Sequence, residues 1–211
     1  MSWPWFYYVC RAAVRAFLLF IRYEVKEIEN IPPQGPVLVV ANHLSLADPP
    51  LLGTLLGRKV VFMAKKELFR FRAIGYLVSG LGAFPVHRGQ LDRKALRKSL
   101  QALEQGKALV VFPEGMRSRS GQLQCAFPGV TLIALRSGAP IVPVGIWGTE
   151  ELEGIRWLFK RPRIMVNIGK PFTLPSVDGK LTKEELTKLT NSIMWHVADL
   201  LPLEYQGYYR R

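Results

Sequence analysis

The sequence has little cysteine and few acidic residues. Its two cysteines, Cys10 and Cys125, lie far apart and match no metal-binding or redox spacing, so we expect a reduced protein without disulfides. Only 16 Asp and Glu stand against 29 Lys and Arg, which gives a formal net charge of +13. Such an excess predicts an anionic partner: nucleic acid, a phosphorylated metabolite or an acidic lipid headgroup. The chain also lacks a Gly-x-Ser-x-Gly sequence, which disfavours a serine hydrolase of that type.

The 211 residues are enough for one α/β domain with a sizeable core. Short apolar runs alternate with longer amphipathic segments, which predicts a single mostly parallel or mixed sheet flanked by helices. Strands are predicted at residues 37–41, 60–63, 83–86, 108–112, 141–146 and 163–168. Helices are predicted at residues 50–56, 71–80, 92–105, 130–137 and 183–200, the last with a capping box at Thr182 and Glu185.

The first 23 residues are rich in aromatic and apolar side chains, interrupted by Arg11, Arg15 and Arg22. On a helix these three arginines would fall within about 40° of one another, so the pattern predicts an amphipathic helix lying in a membrane interface. The stretch before Arg11 has ten residues, which is too short to span a bilayer. A core-packed helix and a single spanning helix remain alternatives. We assign residues 1–30 to an N-terminal membrane-associating helical segment.

A histidine and an aspartate follow the apolar run 37–41. His43 stands where a buried strand should leave its sheet, and Asp48 stands at a helix start marked by Pro49 and Pro50. A loop of this length can bring the carboxylate back to the imidazole, where it accepts one ring proton and leaves the other nitrogen as a base. Because the chain offers no nucleophile nearby, the hydroxyl that this base activates is expected to belong to a substrate.

Three further runs fit this pair. Arg88 ends the predicted strand 83–86 and offers a planar fork of donors suited to phosphate. The loop after predicted strand 108–112 supplies glycine for close backbone approach, together with charged and hydroxyl groups. The residues of interest in that loop are Glu114, Gly115, Arg117, Ser118 and Arg119. Pro143 lies inside a predicted strand, which indicates an edge strand or a ligand-facing wall.

Taken in order, these runs resemble the four motifs of the glycerolipid acyltransferase family, and within it the 1-acyl-sn-glycerol-3-phosphate acyltransferases. The matching runs are His43 to Asp48, 82–88, 112–115 and 142–144. The resemblance covers roughly residues 35 to 150 and implies an acyltransferase domain over residues 31–211. Family members often carry an acidic residue where His87 stands. We expect His87 to be structural.

The resemblance implies transfer of a fatty acyl group from acyl-CoA or acyl-carrier protein to the free hydroxyl of 1-acyl-glycerol-3-phosphate, which gives phosphatidic acid. It implies His43 as the base and Asp48 as its orienting partner, with no metal and no cofactor beyond the acyl donor. The residues that it implies for substrate binding are Arg88, Glu114 and Arg117 at the glycerophosphate end, joined by Gly115 and Ser118 of the same loop, and Pro143 near the acyl-donor path.

The implied partners are lysophosphatidic acid, the acyl donor and an anionic membrane surface, without nucleic acid. The implied location is the cytoplasmic face of the cell membrane, with peripheral or monotopic attachment. Three alternatives remain: a related acyltransferase acting on glycerol-3-phosphate or another lysolipid, a lipid thioesterase or hydrolase, and a basic protein that only binds acidic membranes or nucleic acid. Residues 205–211 are expected to form a frayed tail or to lie in the headgroup region.

Overall fold

A mixed β-sheet lies at the centre of the protein, as the sequence predicts. The computed structural model describes residues 4–87, 92–152, 154, 157, 161–175, 177, 179 and 181–211. Strands β1 to β7 in this part of the chain are Arg22–Lys26, Val37–Ala41, Val60–Lys65, Ala83–Val86, Ala108–Val111, Ile141–Trp147 and Arg163–Ile168. They form one sheet in the order β1-β7-β6-β2-β5-β3-β4.

Helices cover both faces of this sheet. In the described ranges, α1 to α6 are Pro4–Leu18, Asp48–Leu55, Arg72–Gly80, Arg93–Glu104, Gly129–Ser137 and Lys183–Ala198. Each predicted strand and helix is confirmed, with ends that differ by at most two residues. The capping box of α6 is also confirmed, because Thr182 Oγ1 accepts the Glu185 N–H at 3.2 Å and the Glu185 carboxylate accepts the Thr182 N–H at 2.8 Å.

Strand β2 shows why a short apolar run in this sequence forms a strand. All five of its side chains are fully buried, as expected for a parallel strand covered on both faces. Alternate side chains belong to two separate hydrophobic clusters, because successive residues of a strand point to opposite faces. Leu38 and Val40 pack with residues of α4, α5 and α6. Val37, Val39 and Ala41 pack with residues of α1 and α2.

Strand direction places the predicted motifs together. Strands β6, β2, β5, β3 and β4 run parallel to one another, while β7 pairs antiparallel with β6 and β1 runs parallel to β7. The carboxyl ends of the five parallel strands therefore meet at one edge of the sheet. In open α/β sheets ligands bind outside this edge. The residues that follow β2, β4 and β5 all emerge there.

The N-terminal segment differs from the prediction in one respect. Helix α1 ends at Leu18, and Arg22 begins β1, an edge strand that pairs with β7. The three arginines therefore do not share one helix: Arg11 and Arg15 lie in α1, and Arg22 lies in β1. The prediction that they form one basic face of a single helix is wrong. The predicted segment 1–30 is helical only in its first part. Strand β1 was missed because an edge strand is half exposed and its sequence, Arg-Tyr-Glu-Val-Lys, has no apolar run.

Helix α1 has one side against the protein and one side in solvent. Arg11 Nη2 donates to the Thr54 carbonyl oxygen at 3.2 Å, and Leu18 is buried. Tyr8 and Val9 keep 57% and 53% of their surface exposed. Within the residues that the structure describes, no helix is both long enough and apolar enough to cross a membrane.

Pro143 lies in the interior of the sheet. Strand β6 has β2 on one side and β7 on the other, so the edge-strand interpretation of Pro143 is wrong. The carbonyl oxygen of Pro143 accepts the Gly169 N–H at 2.9 Å. The β6–β7 ladder begins only at Val144, opposite Ile168. Pro143 stands just before that ladder, which is where a proline is tolerated in a sheet.

Candidate active site

His43 leaves the carboxyl end of β2, and Asp48 begins α2 after a tight turn. The Asp48 N–H donates to the Ser45 carbonyl oxygen at 3.2 Å, which closes the turn. Pro49 and Pro50 follow in the first turn of the helix, where their missing N–H groups cost no intrahelical hydrogen bond. The turn therefore returns the carboxylate towards the strand end, as the spacing predicts.

The imidazole and the carboxylate are in direct contact. His43 Nδ1 lies 2.8 Å from Asp48 Oδ2. The same oxygen accepts the backbone N–H groups of Leu44 at 2.7 Å and Ser45 at 2.8 Å. Asp48 is fully buried, and an ionised carboxylate only accepts hydrogen bonds. In the neutral imidazole the proton therefore stays on Nδ1, and Nε2 keeps its lone pair.

The loop after β5 holds the peptide groups of His43. Glu114 Oε1 accepts the His43 N–H at 3.0 Å, and Glu114 Oε2 accepts the Gln124 N–H at 2.9 Å. The Ser118 N–H donates to the His43 carbonyl oxygen at 2.8 Å. The ring of Phe112 stacks on the imidazole with centroids 4.4 Å apart. Backbone and ring of His43 are thus both positioned by one loop.

Glu114 titrates in an unusual range for a carboxyl group. Its side chain is 2% exposed. Burial raises the pKa of the Glu114 carboxyl to about 7, although the N–H groups of Gln124 and His43 favour the charged form. The charge of Asp48 adds to the rise. A carboxyl group that changes charge near neutral pH therefore lies directly behind the backbone of His43.

Glu114 and Ser118, which the family resemblance implies for substrate binding, are both buried in the loop after β5. Neither residue lines the cavity that opens beside His43, which is described below. Both Glu114 oxygens accept backbone N–H groups, and Ser118 Oγ donates to the Gln122 carbonyl oxygen at 2.7 Å. Their polar atoms hold the loop in shape. Contact of either side chain with a substrate stays a prediction.

Gly115 lies in the cavity wall at a position that has no room for a side chain. Its φ of 70° is in the left-handed region, and a Cβ atom there would lie 2.9 Å from Phe127 Cε2. Only glycine takes this conformation without strain and leaves room for the ring of Phe127. The predicted close approach of the backbone is therefore present, at the wall next to the imidazole.

A cavity of about 800 Å³ opens beside His43. Its wall is mostly apolar and includes Phe62, Met63, Leu77, Val86, Phe127 and Ile133. The polar side chains in the described part of the wall are Arg11, His43, Thr54, His87 and Asp92. A space of this size and character suits an extended hydrocarbon chain, with the imidazole as one of few polar groups.

The other predicted site residues are more scattered. Arg117 is exposed on the loop that follows β5, at the same edge of the sheet as His43, and does not line the cavity. Pro143 also lies outside the cavity wall, next to Gly169. Arg88 lies outside the described residues. Roles for these three residues stay predictions.

Two residues that the sequence did not single out complete the support of His43. The Asn42 side chain donates to the Ile146 carbonyl oxygen at 2.7 Å and accepts the Ile146 N–H at 2.8 Å, so it extends the β2–β6 pairing beyond the strand end. Phe112 supplies the stacked ring. The available signal was an Asn directly after the apolar run 37–41, because an amide at the end of a buried strand needs partners for its donors and its acceptor.

The C-terminal segment packs on this loop instead of fraying. The Leu123 N–H donates to the Tyr205 carbonyl oxygen at 2.8 Å, and the Tyr208 N–H donates to the Leu123 carbonyl oxygen at 3.0 Å. Tyr209 is buried, and its hydroxyl accepts the Ala126 N–H at 3.0 Å. The prediction of a frayed tail is wrong because the three tyrosines find partners that are remote in sequence.

The chain is similar to known acyltransferases in sequence and in fold. The sequence model of the family described as Acyltransferase matches residues 22–147. The solved 1-acyl-sn-glycerophosphate (LPA) acyltransferase PlsC from Thermotoga maritima is 30% identical, with a TM-score of 0.68 over 92% of this chain and 79% of that chain.

Curated relatives carry related names. The 1-acyl-sn-glycerol-3-phosphate acyltransferase of Bacillus subtilis is 28% identical over 92% of this chain and 96% of its own length. The chloroplastic 1-acyl-sn-glycerol-3-phosphate acyltransferase BAT2 of Brassica napus is 29% identical over 82% of this chain. The chain spans about half the length of that plant relative, 52%. A lyso-ornithine lipid O-acyltransferase of Pseudomonas aeruginosa is 32% identical over 59% of this chain and 47% of its own length.

Proposed function

The chain belongs to the acyltransferase family, and we propose that it transfers a fatty acyl group from a thioester donor to the free hydroxyl of 1-acyl-glycerol-3-phosphate, giving phosphatidic acid. The observation that carries the proposal is the buried His43–Asp48 pair, 2.8 Å apart, whose histidine lines a large apolar cavity. The pair supplies a base, and the cavity has room for a fatty acyl chain. The relatives' names supply the class of acceptor.

The reaction that these groups support is direct acyl transfer. Nε2 of His43 takes the proton of the acceptor hydroxyl while that oxygen attacks the thioester carbonyl carbon. The C–O bond forms, the C–S bond breaks, and the imidazolium returns the proton to the departing thiolate. Asp48 stabilises the imidazolium and keeps the ring in position. The thioester is already activated, so an acyl-enzyme is not required.

The acceptor is held, in this proposal, by its phosphate. Arg117 and Arg119 are exposed on the loop that holds His43, and Arg88 follows β4 in sequence. Arginine offers paired donors that match phosphate oxygens. The 29 Lys and Arg outnumber the 16 Asp and Glu, and this excess of positive charge favours an anionic substrate. Holding the phosphate brings the hydroxyl within reach of His43 and lowers the entropic part of the barrier.

We also propose that the protein works on the cytoplasmic face of a membrane without spanning it. Helices α1 and α3 are in contact and both contribute to the cavity wall, through Arg11 and Val14 of α1 and Leu77 of α3. Large apolar side chains remain exposed on or beside these helices: Tyr8, Val9, Leu19, Phe20, Phe71, Ile74, Tyr76 and Leu77. An apolar face bordered by arginines suits an anionic lipid surface. Acyl chains would then reach the cavity directly from the bilayer.

Incubation of the protein with radiolabelled acyl-CoA and lysophosphatidic acid in lipid vesicles tests the proposal. We expect labelled phosphatidic acid from the wild type and only a small residual rate from His43→Ala. The matched control is His196→Ala, because the His196 ring packs against Phe172 and does not line the cavity. Equal product from the wild type and His43→Ala would refute the base assignment.

The acceptor is identified in the same assay by competition. Lysophosphatidic acid, glycerol-3-phosphate and a lyso-ornithine lipid are offered together, and the products are separated by mass. The lyso-ornithine lipid is included because of the relative from Pseudomonas aeruginosa. Preference for either of the other two acceptors would retain the acyl transfer and overturn the proposed acceptor. Free fatty acid as the main product would favour a thioesterase.

A further inference from the structure

Helix α4 has a solvent-facing side that is mostly basic. Its exposed residues are Arg93, Lys94, Arg97, Lys98, Gln101 and Glu104, and its buried residues are Ala95, Leu96, Ser99, Ala102 and Leu103. At about 100° per residue, the four cations fall within about 140° of the helix surface, over its first two turns. We call these four residues the α4 basic face. Within the described chain, none of their side chains forms an ion pair with an acidic residue.

The stability of the helix does not account for this face. Arg93 and Lys94 lie in the first turn of α4, which contains no acidic residue. Cations at the start of a helix are unfavourable, because the helix dipole is positive there. Arg93 and Arg97 are also a like-charge pair four residues apart, as are Lys94 and Lys98, and such pairs repel each other. The four cations therefore weaken the helix that carries them, which favours a function in binding.

The other side of α4 contributes to the wall of the cavity that holds His43. Asp92, Ala95 and Leu96 line this cavity. Asp92 caps α4 through Oδ1, and its Oδ2 atom lies 2.8 Å from His87 Nδ1, so the start of α4 is fixed beside the end of β4. A partner bound to the α4 basic face would therefore lie next to the cavity.

Shape and position indicate that this partner is an acidic protein. The four cations lie on a convex helix surface outside the cavity wall, whereas small ligands bind in concave sites. The α4 basic face also points away from the apolar side chains that we propose for membrane contact. Helix α4 packs with Leu38 and Val40 on one face of the sheet, and α1 packs with Val37 and Val39 on the other. A bilayer against α1 would therefore lie across the sheet from the α4 basic face.

The distance from α4 to His43 matches the length of a carrier protein's prosthetic arm. Strands β2 and β4 are separated by β5 and β3, so three spacings of about 4.8 Å put their ends about 14 Å apart. In the phosphopantetheine arm of acyl-carrier protein, thirteen bonds join the sulfur to phosphorus, a span of about 16 Å when extended. A carrier protein seated at the start of α4 can therefore place its thioester at His43.

We propose that the α4 basic face docks an acyl-carrier protein, an acidic protein whose surface it complements in charge. The phosphopantetheine arm then enters the cavity past Ala95 and Leu96. Charge complementarity of this kind speeds association and is weakened by salt. The inference rests on the proposed function, because it supplies the thioester donor for the reaction at His43.

The test reverses two charges of the face in the variant Lys94→Glu/Arg97→Glu. The donors are a bacterial acyl-carrier protein loaded with palmitate and palmitoyl-CoA, each assayed with lysophosphatidic acid in vesicles. We expect the KM for the carrier-protein donor to rise by about tenfold. The KM for palmitoyl-CoA and the KM for lysophosphatidic acid should stay unchanged. For the wild type, the KM for the carrier-protein donor should rise with salt, and this rise should be smaller in the variant.

The two substitutions should leave the protein folded. A carboxylate at position 94 is favourable near the helix start, and each substitution replaces a repulsive pair by an attractive one. We therefore expect a thermal midpoint no lower than that of the wild type. The matched control is Lys183→Glu/Lys188→Glu, which changes the net charge equally at exposed positions of α6, a helix that packs on β6 and β2. An equal rise in KM in this control would overturn the inference.

Other results of the same assays would also overturn it. An equal rise in KM for palmitoyl-CoA would show that the face binds the nucleotide or shapes the cavity. Weaker sedimentation of the Lys94→Glu/Arg97→Glu variant with anionic vesicles, at an unchanged KM for the carrier-protein donor, would assign the face to the membrane. An unchanged KM for both donors would leave the face without a function in donor binding.

Direct binding separates this inference from the proposed function. Surface plasmon resonance with the palmitoylated carrier protein needs no turnover, and we expect a Kd about tenfold higher for Lys94→Glu/Arg97→Glu than for the wild type. A wild type that shows this difference but transfers no acyl group would refute the function and retain the docking face. A wild type that uses palmitoyl-CoA but neither binds nor uses the carrier protein would do the reverse.

Discussion

The backbone N–H of His43 donates to Glu114 Oε1 at 3.0 Å, although 71 residues separate them in sequence. The second carboxylate oxygen accepts the Gln124 N–H. Glu114 therefore joins the strand end that carries the imidazole to the loop that returns beneath it. This relationship makes Glu114 a positioning residue, which acts on the candidate base through its peptide group.

Removing the Glu114 carboxyl group should destabilise the protein and slow turnover. In Glu114→Ala the N–H groups of His43 and Gln124 lose their acceptor, and each unsatisfied buried donor costs about 1–3 kcal/mol. We expect a loss of about 2–6 kcal/mol in the free energy of unfolding, measured with denaturant, and a lower kcat. Glu104→Ala is the control because Glu104 is exposed at the end of α4. Equal stability of the two variants would contradict the role of Glu114.

The free energy of unfolding should depend on pH because of the raised pKa of Glu114. Its pKa is about 7 in the folded protein against 4.5 in the unfolded chain, so the folded state binds more protons between these values. Stability from this group therefore falls as pH rises from about 4.5 to about 7. The free energy of unfolding of the wild type minus that of Glu114→Gln should fall by about 3 kcal/mol at most across this range. A difference that is flat or rises with pH would refute the assignment.

Removing the charge of Asp48 should lower kcat only through its effect on His43. Asp48→Asn keeps the shape of the side chain but no longer stabilises an imidazolium, so kcat should fall by about 10²–10⁴-fold. Because the two groups act as a unit, the double variant His43→Ala/Asp48→Asn should be no slower than His43→Ala alone. Circular dichroism checks that each variant is folded. Multiplicative losses would show that Asp48 has a separate function.

Gly115 should tolerate no side chain, for two separable reasons. The positive φ costs an L-residue about 1–2 kcal/mol, and a Cβ atom would also meet Phe127 Cε2 at 2.9 Å. Gly35 has a φ of 78° with nothing within 4 Å of the Cβ position, so Gly35→Ala measures the backbone strain alone. We expect Gly115→Ala to lower the thermal midpoint further than Gly35→Ala. Equal shifts would mean that the Phe127 ring moves aside freely.

The C-terminal segment should contribute to the stability of the loop. Tyr209→Phe removes the hydroxyl that accepts the Ala126 N–H and should cost about 1 kcal/mol in the free energy of unfolding. Tyr208→Phe is the matched control, because Tyr208 is largely exposed. Hydrogen exchange at Ala126 should accelerate in Tyr209→Phe and not in Tyr208→Phe. Unchanged exchange in both variants would show that this contact does not protect the loop.

The local structure around the candidate base was predictable because its signals are close together in sequence. The run of apolar residues at 37–41 indicated a strand buried on both faces, and Pro49-Pro50 indicated a helix start. His43 and Asp48 are joined by only one turn, so their contact follows from chain geometry within a few residues. The same reasoning missed β1, whose alternating charged residues are stable as a strand only beside β7.

The sequence by itself determined the element types, the turn that joins His43 to Asp48, and the excess of basic charge, since each depends on neighbours along the chain. Only the tertiary structure decided that Glu114 accepts the backbone N–H of His43, that the Tyr209 hydroxyl accepts the Ala126 N–H, and that Lys66 contacts His87. These contacts depend on strand order and on burial by remote elements. Side-chain partners across a sheet are set by which strands pair, and a single sequence does not state that pairing.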